Sequence, residues 1–108
     1  MRLRILILLL ILTSCEYDNL ELDNNEKISY SKDILPIISL KCSITSCHVP
    51  GSPTGDFLVY DELKKRIDNN KFQRMVFELK LMPPVGNEQL NSNEIEKLRE
   101  WIEMGAEQ

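Results

Sequence analysis

Several features are scarce in this 108-residue chain, and each scarcity narrows what the protein can be. It has a single histidine, His48, which excludes any site that needs two imidazoles of one chain on one metal. Its 13 basic residues are outnumbered by 17 acidic ones, which argues against binding to nucleic acid or to an anionic membrane surface. No apolar run reaches the roughly 20 residues that a helix needs to span a bilayer. No segment alternates polar and apolar side chains over a useful length, so strands are not expected.

The N-terminal segment has the pattern of an export signal. Arg2 and Arg4 flank the start of an unbroken apolar run over residues 5–12, and small residues then lead to Cys15. The segment Leu12-Thr13-Ser14-Cys15 resembles the lipobox of bacterial lipoproteins, in which the cysteine is acylated and becomes the mature N-terminus. The resemblance implies a lipoprotein signal peptide over residues 1–14, acyl chains such as palmitate on Cys15, and a membrane anchor, with a Gram-negative outer membrane as the favoured location. An ordinary secretory signal cleaved nearby is the alternative.

The remainder of the chain has room for one small domain. Cleavage before Cys15 would leave 94 residues and change the formal net charge from −4 to −6, because both lost charges are arginines. Residues 15–27 are rich in Asp, Glu and Asn, which predicts an acylated N-terminus followed by a flexible tether. The globular domain is therefore expected over residues 28–108.

The spacing of apolar residues predicts an all-α domain of about four short helices. They are expected over residues 31–41, 60–68 and 72–80, and from the N-cap Asn91 to a left-handed C-cap at Gly105. Ser31 is the predicted N-cap of the first helix, and Glu94 is expected to complete a capping box with Asn91. The inward-facing residues are predicted to be Ile34, Ile37, Ile38, Leu63, Ile67, Phe72, Met75, Val76, Leu79, Ile95, Leu98 and Ile102, flanked by Trp101.

Cys42 and Cys47 need a partner if Cys15 carries lipid, because free thiols rarely persist outside the cytoplasm. Two nearby cysteines can form a disulfide, bind a metal, or form thioether bonds to a cofactor. Their surroundings favour the cofactor: His48 follows Cys47 directly, and the loop Met82-Pro83-Pro84 offers a thioether outside any helix. Two thiols, an imidazole and a thioether can hold a haem covalently and ligate its iron from both faces.

The spacing of the two cysteines departs from the usual attachment motif. That motif is Cys-x-x-Cys-His, whereas four residues, Ser43 to Ser46, separate the cysteines here. The entropy of loop closure rises slowly with loop length, so two extra residues are physically permitted. They are expected to affect recognition by the attachment machinery more than the fold.

From about Ile28 to Ala106 the chain resembles the small single-haem c-type cytochrome domain of bacterial lipoproteins. The resemblance is carried by Ile34-Leu35-Pro36-Ile37-Ile38, Cys42, Cys47-His48, Gly55 ahead of an apolar pair, Met82-Pro83-Pro84, Trp101-Ile102 and Gly105-Ala106. It implies a class I cytochrome c-like fold around one haem c. It also implies thioether bonds at Cys42 and Cys47, with His48 as the proximal and Met82 as the distal iron ligand.

The function that this resemblance implies is electron transfer rather than catalysis, with redox proteins of the cell envelope as partners. Both axial positions of the iron would be filled, and no other acid, base or nucleophile is expected to converge on them. Met75 and Met104 are predicted to pack in helices, so Met82 is preferred as the ligand.

Two haem-free interpretations remain open. The first is a helical interaction module of a surface or periplasmic complex, stapled by a Cys42–Cys47 disulfide. The second is a copper site, because Cys42, Cys47, His48 and Met82 offer soft ligands that suit Cu(I).

Overall fold

The computed structural model describes residues 27–108, in which four short helices are joined by loops. Helix α1 begins as a π-helical segment, Tyr30–Ile34, and continues as an α-helix, Leu35–Lys41. Helix α2 is Tyr60–Asp68, and helix α3 passes from an α-helical turn, Lys71–Gln73, into a π-helical segment, Arg74–Glu78. Helix α4 is Ser92–Glu103. Residues 27–108 contain no strand, which confirms the prediction of an all-α domain.

The N-terminal predictions concern a part of the chain that the structure does not describe. The predicted signal peptide, the lipidation site Cys15 and the tether up to residue 26 lie outside the described residues. Among residues 27–108, no helix has both the length and the apolar character needed to cross a membrane. At the start of this range, Lys27 forms an exposed salt bridge of 2.8 Å with Glu107 near the C-terminus.

Helix α1 contributes a buried stripe that ends in a lysine. Ile34, Ile37 and Ile38 are buried, as their helical spacing predicted, and Lys41 continues the buried stripe. The N-cap is Ser29, whose hydroxyl accepts from the backbone N–H of Lys32 and whose own N–H donates to Asp33 at 2.9 Å. The prediction of Ser31 as N-cap is therefore wrong, because the helix opens two residues earlier with a π-helical turn.

Helices α2 and α3 follow one another closely and contact each other. Helix α2 has the predicted bounds and buries Leu63 and Ile67. Helix α3 was expected to place Leu79 inward, but that side chain is 48% exposed. The cause is the π-helical segment, in which the N–H of Leu79 donates to the carbonyl of Arg74 five residues back and shifts the phase of the stripe.

Helix α4 carries the clearest local signals, and its predicted start is confirmed. The Asn91 side chain accepts from the backbone of Glu94 at 2.9 Å, and the Glu94 carboxylate accepts from the backbone of Asn91 at 2.8 Å. Leu98 and Trp101 are fully buried, whereas Ile95 and Ile102 are half-buried. The centre of the buried face thus lies nearer Trp101 than the sequence predicted.

Aromatic contacts join the first and last helices and confirm that Trp101 is a core residue. The rings of Tyr30 and Trp101 stack with centroids 5.7 Å apart, and Tyr60 meets Tyr30 edge-on at 5.2 Å. The Tyr60 hydroxyl donates to the carbonyl of Ala106 at 2.8 Å, which ties α2 to the end of the chain.

Candidate functional site

A cavity of about 410 Å³ opens between the loop after α1 and the loop after α3. Its lining includes all four residues that the sequence singled out, namely Cys42, Cys47, His48 and Met82. Cys42, Cys47 and His48 belong to one short stretch of the chain, whereas Met82 lies 34 residues after His48, so the fold brings the methionine to the same place. The volume falls within the range of cofactor and ligand pockets, about 300–1,000 Å³.

The wall of this cavity is mainly apolar. It is formed by side chains from both loops and from α3, namely Ile44, Phe57, Phe72, Met75, Val76, Pro83 and Pro84. Phe57, Phe72 and Val76 also belong to the hydrophobic core, so the cavity is continuous with the interior of the domain. An apolar wall with a few polar groups is the usual character of a cofactor pocket.

His48 is fixed in one tautomer by its hydrogen-bond partners. Its Nδ1 lies 3.2 Å from the carbonyl oxygen of Gly55 and 3.3 Å from the hydroxyl of Thr54. A carbonyl oxygen only accepts hydrogen bonds, so Nδ1 carries the proton and donates it. The lone pair therefore resides on Nε2, the nitrogen left to bind a metal, and a hydrogen bond from the other ring nitrogen is the usual support of a histidine ligand.

The surroundings of His48 also keep it neutral. Burial lowers the pKa of the imidazole, the hydrogen bond to Gly55 opposes this, and the nearby positive charge of Arg66 lowers the pKa further. The ring lies flat on Phe57, with centroids 3.6 Å apart and planes 8° apart. A neutral imidazole held by a carbonyl on one edge and by a phenyl ring on one face is prepared to act as a ligand.

The two cysteines border a compact turn. The N–H of Cys47 donates to the carbonyl of Ile44 at 2.9 Å, and the N–H of His48 donates to the carbonyl of Cys42 at 3.3 Å. Within this turn Ser46 takes a positive φ of 67°. Both thiols are free and half-buried, and burial, with smaller contributions from Cys47 and Glu94, raises the pKa of Cys42 to about 12. The four intervening residues thus fold into a turn that leaves both sulfurs at one cavity.

Met82 lies on the opposite loop, just after α3 ends. The N–H groups of Leu81 and Met82 both donate to the carbonyl of Met75, at 2.9 and 3.2 Å. Lys80 makes the turn out of the helix with φ of 52°, and the Met82–Pro83 peptide bond is cis. Met82 is 36% exposed, so its thioether is at the surface of the domain as well as in the cavity.

The other methionines depart from the sequence prediction. Met75 was expected to pack within a helix stripe, but it is half-buried and lines the same cavity as Met82. Met104 was also expected to pack, but it is 41% exposed at the C-cap of α4 and is not among the lining residues. Two thioethers, Met75 and Met82, are therefore available to a group bound in the cavity.

Three cationic side chains line the cavity, an arrangement that the sequence analysis did not predict. Arg66 belongs to the run Lys64-Lys65-Arg66, which reads as a solvated helix face, yet its guanidinium donates to the carbonyl of Thr54 at 3.1 Å. Lys71 is exposed at the start of α3. Lys41 is 6% exposed, and its ammonium pairs with Glu88 and lies 3.8 Å from Glu94.

The residues around His48 were also missed by sequence reasoning. Phe57 and Thr54 lie in an irregular loop without periodicity, so no pattern connects them to the histidine. Gly55 offered a partial signal, since a glycine between polar residues marks a turn, and it does adopt a positive φ of 101°. A side chain on Gly55 would meet the Glu62 carboxylate at 3.2 Å, so the turn that presents the Gly55 carbonyl has little spare room.

The described residues do not provide a ready set of ligands for a metal ion alone. Within residues 27–108, no three His, Cys, Asp or Glu side chains come close enough together to hold an ion. Cys42, Cys47 and His48 therefore do not already form a three-ligand site for copper. In comparisons with known proteins, no family model, no curated protein and no solved structure matches the chain. The case for a function consequently rests on the cavity itself.

Proposed function

We propose that this protein is a membrane-anchored electron carrier of the c-type cytochrome kind, with one haem covalently bound in the cavity. The observation that carries the proposal is that one apolar cavity is lined by two cysteines, the only histidine of the chain and the loop methionine. These are Cys42, Cys47, His48 and Met82. The proposed fold is of the class I cytochrome c-like type, with four short helices around the haem. A purely structural domain would have no need to gather these side chains around a cavity.

Each of the four residues has a distinct role in this proposal. Cys42 and Cys47 would form thioether bonds to the haem, and His48 and Met82 would ligate its iron. The bound haem would supply a metal centre that gains and loses one electron. The carbonyl of Gly55 supports the role of His48, because it orients the ring and increases the basicity of Nε2.

The rest of the cavity wall would set the environment of the group. Phe57, Phe72 and Val76 would exclude water from one side, which favours the less charged state of the iron. Arg66 and Lys71 line the same cavity and could pair with the carboxylates that a haem carries. With His48 and Met82 both ligating the iron, the protein would transfer electrons and would not bind or transform a substrate.

The cellular setting follows from the N-terminal sequence. Export followed by acylation of Cys15 would tether the domain to the membrane through residues 16–27, on the periplasmic or outer face of the outer membrane. Its partners would be other redox proteins of the envelope, which it would meet through small transient contacts.

The test is to produce the exported protein in cells that carry a haem-attachment system and to analyse it after denaturation. Covalent haem should persist as absorbance on the denatured band and as one added porphyrin in the mass spectrum. Cys42→Ser and Cys47→Ser should each remove one thioether bond, and the double variant should lose the haem on denaturation. A chain without covalent haem, two hydrogens lighter than the reduced form, would instead carry the Cys42–Cys47 disulfide, and the proposal would be wrong.

A further inference from the structure

The loop that carries Met82 is held together by one side-chain amide. Nε2 of Gln89 lies 3.1 Å from the carbonyl oxygen of Pro83, 3.1 Å from that of Pro84 and 3.0 Å from that of Asn87. An amide NH₂ has two hydrogens, so it satisfies two of these acceptors at a time and shares them with the third. Gln89 thus binds both residues that follow Met82.

Pro83 is buried, so packing also holds this segment, but few other hydrogen bonds do. Pro83 and Pro84 have no backbone N–H to donate, and Val85 is fully exposed. Before the prolines, the N–H groups of Leu81 and Met82 attach the loop to the end of α3. Beyond them, the main backbone contact is the N–H of Asn87, which donates to Pro84 at 3.1 Å. The Gln89 amide closes the loop between these two ends.

Gln89 is itself fixed to the other side of the cavity. Its main-chain carbonyl accepts from the ammonium of Lys41 at 3.2 Å. Lys41 is buried, pairs with Glu88, and directly precedes Cys42 in the chain. Gln89 therefore links the end of α1, where the cysteine turn begins, to the prolines next to Met82: its main-chain carbonyl accepts from Lys41, and its side-chain amide donates to Pro83 and Pro84.

From these contacts we infer that Gln89 is the positioning residue that keeps the Met82 thioether over the haem iron. The inference rests on the proposed function. A thioether is a neutral, weakly donating ligand, so its retention against an exogenous ligand depends on the loop being held in place beforehand. Gln89 acts through the backbone of Pro83 and Pro84 and does not touch the iron.

The experiment measures imidazole binding to the ferric, haem-loaded protein. Gln89→Leu removes the donors, and Gln89→Glu keeps the shape of the side chain but replaces the donor with an acceptor. Both should bind imidazole about two- to tenfold more tightly than the unaltered protein, which is the equilibrium effect of one typical hydrogen bond. Both should also weaken the absorption that arises from charge transfer between sulfur and iron.

A matched control separates positioning from general stability. Tyr60→Phe removes the 2.8 Å hydrogen bond to Ala106, and neither of these residues lines the cavity. It should lower the unfolding temperature about as much as the Gln89 substitutions do, and it should leave the affinity for imidazole unchanged. If a haem-loaded protein that needs Met82 shows unaltered imidazole affinity in both Gln89 variants, the inference fails and the proposed function stands. If the unaltered chain holds no covalent haem, both fail together.

Discussion

The imidazole of His48 lies flat against the ring of Phe57, with centroids 3.6 Å apart and planes inclined by only 8°. Phe57 is also 6% exposed and packs against Phe72 in the core. The histidine is therefore backed by a residue that the fold itself needs. This contact links the stability of the domain to the orientation of the candidate ligand.

The first prediction concerns this backing residue. Phe57→Ala should lower the free energy of unfolding by about 3–5 kcal/mol, because a large buried side chain is lost and a cavity is left. The neighbouring Leu58 is 43% exposed, so Leu58→Ala should change it by no more than about 0.5 kcal/mol. Urea unfolding of both variants measures the difference. Equal losses in the two variants would mean that Phe57 is not a core residue.

The second prediction concerns acid stability. The backbone N–H of Ser29, which donates to the carboxylate of Asp33, holds the pKa of that group below its usual value, with help from Lys97. The charged form is thus favoured in the folded state. The contribution of charged Asp33 to the stability of the fold is present above its unfolded pKa of about 3.9. It is lost as the pH falls through the lower pKa of the folded state. Asp33→Asn should be less stable than the unaltered protein at neutral pH, and the difference should shrink below about pH 4.

Urea unfolding of the two proteins at neutral and acidic pH provides the measurement. The informative quantity is the difference between them, since other carboxylates titrate in both. A difference that stays constant from neutral to strongly acidic pH would show that the charge on Asp33 does not stabilise the start of α1.

The third prediction concerns the capping box of α4. Asn91→Ala removes the acceptor for the N–H of Glu94, so the free energy of unfolding should fall by about 0.5–2 kcal/mol. Asn93→Ala, at an exposed position within the helix, is the matched control and should be nearly neutral. Thermal unfolding followed by far-ultraviolet circular dichroism compares the two. A control that destabilises as much as the cap variant would contradict the assigned helix start.

The sequence predicted the helices well where neighbouring residues alone determine the structure. The Asn91–Glu94 box and the Leu63 and Ile67 stripe depend on residues three or four apart, and both occur as expected. The π-helical segments were not predictable in this way. Their wider turns change which residues share a face, so Leu79 turned outward.

The candidate site, too, has features that the sequence could predict and features that it could not. The thiols, His48 and Met82 could be proposed from residue type and order alone, and they do line one cavity. The contacts of His48 with Gly55 and Phe57 could not, because they arise from a loop whose path is set by tertiary packing. The same holds for Gln89, whose three acceptors meet only when the loop is folded.

The last prediction decides between two thioethers. Met75 and Met82 both line the cavity, but Met75 is carried by α3, whereas Met82 lies on the loop held by Gln89. In the haem-loaded protein, Met82→Ala should open a coordination position. The ferric iron should become high-spin, and imidazole should bind without having to displace a ligand. Met75→Leu conserves volume and should leave the spin state and the imidazole affinity unchanged.

Optical spectra of the ferric variants, recorded during an imidazole titration, separate the outcomes. A low-spin Met82→Ala protein together with a high-spin Met75→Leu protein would move the distal ligand to α3. The loop would then serve only to cover the cavity. The expected result is the reverse. The main-chain carbonyl of Met75 accepts from both Leu81 and Met82 and so fixes where the loop begins. Met75 thereby positions Met82, and the thioether carried by the loop is the one we expect on the iron.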